Sequence, residues 1–164
     1  MRFRQIDEGF DYVFKGDTID EQVKRLKLLA SRSQCYVPLV RMGVGAEDTE
    51  WGVPDGMPNT IKIQEDIPVG MGETTIQIEW RRIRAFTDPN SNMRKLPPWK
   101  QEMQWLGLLE SLQANEAHLL TAVKDKRLLT MYPKLEALME PLGITDYVKP
   151  VPAKKKRTPR KKKD

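Results

Sequence analysis

Residues 109–128 read Leu-Glu-Ser-Leu-Gln-Ala-Asn-Glu-Ala-His-Leu-Leu-Thr-Ala-Val-Lys-Asp-Lys-Arg-Leu, and they hold the clearest helical pattern of this 164-residue chain. Apolar residues follow Asn115 at helical spacing, and asparagine is one of the residues that cap helix N-termini well. The pattern predicts a helix over 116–126 that buries Leu119, Leu120 and Val123.

Further helices are predicted on either side of this one. The spacing of apolar residues and the paired prolines at the start predict a helix over 98–112. A last helix is predicted over 132–142, capped by Thr130, opened by Pro133 and ended by Gly143. Because the links between these helices are short, neighbouring helices must fold back on each other. We therefore predict a mainly α fold, a small helical bundle.

The N-terminal part contains one strong helix signal. Thr18-Ile-Asp-Glu has the spacing of a capping box and predicts a helix over 19–32. Pro38 can open a short second helix that is ended by Gly43 and Gly45. Residues 1–17 mix aromatic and acidic residues without a clear period. We interpret them as an N-terminal arm whose aromatic side chains dock on the body.

Residues 43–74 are rich in glycine and proline, with six glycines and three prolines. We predict a long loop here, which is unusual for a compact domain. Ile61 and Ile63 alternate around a lysine and predict a short strand within it. Trp51 is expected to pin the loop to the core.

Two interpretations compete for residues 74–86. As a strand, Ile76, Ile78 and Trp80 would alternate. As a helix, Ile76, Trp80 and Ile83 would align on one face, and this pattern covers more residues, so we favour it. The helix would leave three basic side chains outward: Arg81, Arg82 and Arg84.

Charge is unevenly distributed along the chain. Residues 149–164 hold nine basic residues and one acid, a balance of +8, whereas residues 1–148 hold 19 basic and 22 acidic residues, a balance of −3. Prolines block a continuous helix in the C-terminal segment and its like charges repel, so we predict a disordered basic tail. The predicted division is an arm (1–17), a helical domain (18–148) and this tail (149–164).

Such a tail is expected to bind nucleic acid, DNA or RNA, without sequence preference, because phosphate contacts carry no base information. The alternatives are a terminus that only contacts solvent, or a tail whose partner is an acidic protein or an anionic membrane. For the arginines of 74–86, the alternative is a solvated helix face with salt bridges to Glu79 or Glu102. The residues predicted to bind nucleic acid are Lys154, Lys155, Lys156, Arg157, Arg160, Lys161, Lys162, Lys163, Arg81, Arg82 and Arg84.

No pattern in the chain predicts catalysis, and we expect no catalytic residue, cofactor or metal. The single cysteine, Cys35, excludes an internal disulfide and is expected to be a small buried residue. The single histidine, His118, excludes a multi-histidine metal site and is expected on an ordinary helix face. Acids in the 43–74 loop leave a carboxylate-dependent nuclease as an alternative. No apolar run approaches the roughly 20 residues that span a bilayer. No lipidation motif or amphipathic stripe supports binding to a membrane surface, so we expect no membrane association.

The order of elements shows a family resemblance. It includes Trp51-Gly-Val-Pro in the loop, a Leu-Leu-Glu-Ser-Leu helix, the segment 109–128 and a Lys/Arg/Pro terminus. Over roughly residues 20–156 this resembles an uncharacterised protein family of T4-like tailed bacteriophages, which has no assigned activity. The resemblance implies a phage source and expression in the bacterial cytoplasm.

Together these observations predict a non-enzymatic phage accessory protein. Its helical body would bind an unidentified phage or host protein, and its basic tail would bind nucleic acid. The alternative is a virion structural or assembly protein whose tail contacts packaged DNA or an acidic capsid surface. The expected location is the host cytoplasm, or the virion in the alternative case.

Overall fold

A computed structural model describes residues 3–47, 49–56 and 66–148. These residues are mainly α-helical, as predicted, and contain no strand. The strand predicted at Ile61 and Ile63, and the basic tail, lie outside them. The helices are α1 (Ile6–Phe14), α2 (Ile19–Arg32), α3 (Tyr36–Gly43), α4 (Trp80–Ala85), α5 (Pro98–Ser111), α6 (Ala114–Lys124), α7 (Leu128–Met131) and a 3₁₀ helix (Pro133–Leu138).

Helix α6 packs against α1, α3 and α7. Its three predicted core residues are fully buried, which confirms the predicted face: Leu119, Leu120 and Val123. The predicted cap is wrong, because the helix begins before Asn115. The capping residue is Gln113, whose side-chain oxygen accepts a hydrogen bond from the Asn115 backbone N–H at 3.0 Å.

Helix α2 has the predicted bounds and is capped by Thr18, but the predicted capping box is incomplete because the Glu21 carboxylate accepts Arg25 Nε at 3.2 Å. The Thr18 hydroxyl oxygen accepts the Glu21 backbone N–H at 3.1 Å, which satisfies one of the free donors at the helix start. Helix α3 begins at Tyr36, two residues before the predicted Pro38, and ends at Gly43 as predicted.

Trp51 is buried and its ring packs edge-on against Trp105, as expected for a residue that pins the loop.

The N-terminal segment, predicted to be an arm without a clear period, contains the helix α1. Ile6, Phe10 and Val13 are spaced four and three residues apart, and all three are fully buried. The expected docking of aromatic side chains occurs: the Phe10 ring centre lies 6.0 Å from that of Tyr36 and 5.0 Å from that of Tyr132.

The helical interpretation of residues 74–86 is correct in its spacing. Ile76 and Ile83 are fully buried and Trp80 is nearly so, whereas Ile78 is 68% exposed. A strand would have placed Ile78 on the same face as Ile76, so the strand alternative is wrong. Turns occupy the residues before Trp80, which leaves α4 shorter than predicted.

The predicted helix over 132–142 is wrong. The chain instead forms the short helix α7, which contains Thr130, and then a 3₁₀ helix that begins at Pro133. Proline lacks a backbone N–H and disfavours helical backbone at the preceding residue, and Tyr132 accordingly adopts φ −125° and ψ 78°. Gly143 has a φ of +76° just beyond this region, a conformation typical of residues that end a helix.

Glu116 joins three distant parts of the fold. Its carboxylate is fully buried in α6 and accepts the backbone N–H groups of Ile6 and Ile76, each at 3.0 Å. The pKa of Glu116 is raised to about 7, mainly by burial and to a smaller extent by the nearby Asp7 and Glu8. The two backbone hydrogen bonds act in the opposite direction and lower this pKa.

We expect Glu116 to make stability depend on pH. Because the folded-state pKa exceeds the ordinary value near 4.5, the folded protein keeps a proton that the unfolded chain loses. The free energy of unfolding should therefore fall as pH rises from about 4.5 to about 7, by on the order of 1–3 kcal/mol. Urea denaturation across this range measures it.

Glu116→Gln should flatten this pH dependence, because an amide does not titrate in this range. It should also lower the free energy of unfolding by about 1–2 kcal/mol, since the amide N–H₂ group would face one of the two backbone N–H donors. Glu110→Gln, on the exposed side of α5, is the matched control and should keep the slope. An unchanged slope in Glu116→Gln would contradict the assignment.

Candidate nucleic-acid interface

Helix α4 presents two of its three arginines to solvent. The buried side chains of Trp80 and Ile83 fix the helix on the body, and Arg81 and Arg84 are exposed on its other side. One guanidinium nitrogen of Arg84 donates to the Met42 sulfur at 3.4 Å. The guanidinium carbon of Arg84 lies 5.9 Å from the Trp80 ring centre, so this side chain has a defined position.

Arg82 is held differently. Its Nη2 donates to the side-chain oxygen of Gln104 at 2.9 Å, and its Nη1 lies 4.0 Å from a carboxylate oxygen of Glu79. This is the ion pair that the alternative interpretation foresaw. Arg82 is half-buried and joins α4 to α5, whereas Arg81 and Arg84 remain directed to the surface.

Arg81 and Arg84 border a shallow depression of about 590 Å³, which we call the arginine groove. Its other polar residues are Thr87, Asp88 and Ser91. Both hydroxyls donate to main-chain carbonyls, and the Asp88 carboxylate accepts the Asn90 backbone N–H at 2.9 Å. Guanidinium groups bind phosphate oxygens through two parallel hydrogen bonds, so this groove has the chemistry to bind a phosphate backbone.

The described part of the chain ends on helix α3. Val148, the last described residue, donates its backbone N–H to the Val44 carbonyl at 2.7 Å. Its side chain covers Gly45, which has a φ of +77°; a Cβ there would lie 2.6 Å from Val148 Cγ2. Val148, the residue that precedes the tail, is therefore attached beside the end of α3, the helix whose Met42 contacts Arg84.

A chain of contacts links the arginine groove to Val148, after which the basic tail follows in sequence. The chain of contacts from Arg84 through Met42 and Val44 to Val148 spans at most about 20 Å. That length of duplex carries about a dozen phosphate charges. The tail residues predicted to bind nucleic acid, Lys154 to Lys163, lie outside the described residues.

Several basic residues of the body stabilise the fold instead. The Lys124 ammonium is buried and donates to the Pro54 carbonyl at 2.7 Å and to Asp125 at 2.6 Å. Arg94 donates to the Glu50 carbonyl at 2.7 Å. These contacts hold the loop segment 49–56 on the body, a role that the sequence did not indicate.

The potentially reactive side chains are in ordinary environments. His118 is exposed on α6, as expected. Cys35 is buried, as expected, and burial raises the pKa of its thiol, which disfavours the nucleophilic thiolate.

In residues 3–47, 49–56 and 66–148, no group of three or more His, Cys, Asp or Glu could hold a metal ion. Within the same ranges, no helix has the length and hydropathy of a membrane-spanning segment.

Comparison of the chain with protein-family models, curated proteins and solved structures finds no match. The resemblance to a bacteriophage family therefore stays a prediction, and function has to be inferred from the residues of this chain.

Replacement of Arg81 and Arg84 together by glutamine should weaken duplex DNA binding by the full chain about threefold to tenfold. It should also reduce the slope of log affinity against log salt by about 1–2, because each lost phosphate contact lowers that slope by roughly one. Fluorescence anisotropy with a labelled duplex at several salt concentrations measures both.

Arg82→Gln is the control within the same helix. It removes a positive charge but should change affinity and slope less than either Arg81→Gln or Arg84→Gln, since the Arg82 guanidinium is engaged with Gln104 and Glu79. Equal effects of all three single substitutions would mean that only net charge matters, and would contradict a defined groove.

Proposed function

We propose that this chain is a non-enzymatic accessory protein of a tailed bacteriophage. In this proposal the helical body binds a protein partner, and the basic tail binds DNA or RNA without sequence preference. The observation that carries it is the separation of charge: nine basic residues and one acid in 149–164, against 19 basic and 22 acidic residues in 1–148. A net negative body does not attract a polyanion, so the tail has to supply most of the affinity.

The arrangement of the body supports this division. Its last described residue, Val148, is attached beside the end of α3, and Met42 of the same helix contacts Arg84 of the arginine groove. The groove would add a few fixed phosphate contacts to the many that a cationic segment makes. Phosphate contacts position a protein on nucleic acid but do not read its sequence, which is why the proposed binding is non-specific.

An exposed apolar face on α5 supports a protein partner for the body. Trp99 and Met103 are one helical turn apart and are 58% and 61% exposed. The Lys100 ammonium lies 5.4 Å from the Trp99 ring centre and covers part of that ring. Tryptophan and methionine are enriched at protein interfaces, and tryptophan often contributes much of the binding energy. We define Trp99 and Met103 as the α5 face.

Removal of the basic tail after Val148 should abolish most non-specific duplex binding. The loss should exceed tenfold at low salt, because the remaining body has a net negative charge. The buried core lies within the described residues, so the shortened chain should keep its helical circular dichroism. Low-salt gel-shift assays with both chains measure the difference.

Unchanged DNA binding by the shortened chain would contradict the role of the tail and direct attention to Arg81 and Arg84. The same samples test the enzymatic alternative. Plasmid DNA incubated with the protein and Mg²⁺ or Mn²⁺ should stay intact; cleavage would replace this proposal with a carboxylate-dependent nuclease.

Substitution of the α5 face, Trp99→Ser with Met103→Ser, should release the protein partner without loss of stability, since both side chains are already solvent-exposed. Pull-down from infected cells after nuclease treatment, with the native chain and the variant, identifies proteins retained only by the native chain. Glu102→Gln, between the two residues on α5, is the matched control. Equal recovery with native chain and variant would contradict this face as the binding surface.

A further inference from the structure

The solvent side of helix α5 has three features that are unfavourable for a helix surrounded by water. The first is the α5 face itself, because the exposed Trp99 and Met103 leave apolar surface in water. Both residues lie on the side opposite the part of the helix that packs on the body. That packed side consists of Gln101, Trp105, Leu108 and Leu109.

The second feature is Gly107, an exposed glycine in the interior of α5. Glycine weakens a helix relative to alanine, because its backbone loses more freedom on folding. Apart from neighbouring atoms of its own helix, a Cβ on Gly107 would meet no atom of the described residues within 4 Å. The described fold of the single chain therefore does not require glycine here. A glycine does allow a second helix to approach closely, since the distance between packed helices depends on the side chains at the contact.

The third feature is the placement of two exposed charges. Lys100 lies in the first turn of α5 and Glu110 lies in the last turn. The helix dipole favours acids at the start of a helix and bases at its end, and α5 has no acid in its first turn and no base in its last. Both charges therefore oppose the preference of the isolated helix.

A second α5 helix in antiparallel orientation would make all three features favourable. Lys100 and Met103 are three residues apart, and so are Gly107 and Glu110. A register that places Lys100 opposite Glu110 of another copy therefore also places Met103 opposite Gly107. Two-fold symmetry forms each of these pairs twice. A parallel pair would instead bring lysine against lysine and glutamate against glutamate, which is repulsive.

We propose that the α5 face binds a second copy of this chain through an antiparallel pair of α5 helices. Met103 of each copy packs on Gly107 of the other, and Lys100 pairs with Glu110. This inference rests on the proposed function, in which the α5 face binds a protein, and it names that protein. The dimer joins two basic tails, so a strand bound by one tail meets the second at high local concentration.

A single helix face forms a small interface. Stable complexes bury roughly 1,200–2,000 Å², and a pair of 14-residue helices, each about 21 Å long, falls below this range. We therefore expect a reversible dimer with a dissociation constant on the order of 1–100 µM. Sedimentation equilibrium of the nuclease-treated full chain over a wide concentration range measures it.

The charge pairs supply the sharpest test. Lys100→Glu and Glu110→Lys should each weaken the dimer about tenfold or more, because each places like charges at both ends of the pair. The exchange variant, Lys100→Glu with Glu110→Lys, should recover an affinity within about threefold of native, since opposite charges again face each other. An equal mixture of the two single variants should form mixed dimers.

Gly107→Gln tests the close approach of the two helices. It should weaken the dimer about tenfold without unfolding the chain, since glutamine is a better helix former than glycine and has open space at this position. Lys24→Glu and Glu140→Lys are the matched controls, because both residues are exposed outside α5 and the charge changes are the same. The controls should keep the native dimer affinity, and circular dichroism of all variants verifies that they fold.

A chain that stays monomeric at every concentration overturns this inference, whereas the gel-shift assay decides the role of the tail separately. A dimer that is insensitive to Gly107→Gln and to both single charge variants also overturns it, since the copies would then meet elsewhere. Failure of the exchange variant to recover overturns the antiparallel register. A monomeric chain that retains a phage or host protein through the α5 face overturns the second copy as occupant and supports the proposed function. A dimer with all the expected responses but without duplex binding supports this inference and contradicts the proposed binding of nucleic acid.

Discussion

The buried carboxylate of Glu116 is the interaction on which the arrangement of the body depends. It binds two backbone N–H groups, those of Ile6 and Ile76, which are 110 and 40 residues away in sequence. A buried N–H without an acceptor costs about 1–3 kcal/mol, so this one side chain satisfies two expensive donors at once. As a result, the start of α1 and the turn before α4 meet on α6. Helix α4, which follows this turn, carries the arginine groove.

A helix can be predicted from sequence when its cap and its apolar spacing both lie within a few residues of each other. Thr18 caps α2 through an atom three residues away, so its role is visible in the sequence. Helix α1 has an equally regular apolar spacing, but Gly9 and the acids obscure it. The structure explains this glycine: a Cβ there would lie 2.0 Å from the Tyr36 hydroxyl oxygen. The need for glycine arises from contact with α3, which no local pattern contains.

The candidate sites were harder to foresee for the same reason. Nothing in the sequence distinguishes the three arginines of α4. Their environments differ only because Gln104 on α5 binds Arg82 and Met42 on α3 binds Arg84. Sequence reasoning can assign charge to a segment, but the selection of individual side chains depends on long-range packing.

Burial also determines which cations of the body can meet a ligand. An ammonium group removed from water needs partners, and Lys124 has two, Asp125 and the Pro54 carbonyl. A chain of contacts no longer than about 20 Å joins Arg84 to Val148, the residue that precedes the tail. A phosphate that lies farther from a cationic group than the Debye length, roughly 8–10 Å in physiological salt, is largely screened from it. Groove and tail therefore act mainly on the phosphates that they contact directly, and the attachment at Val148 keeps the local concentration of the tail high.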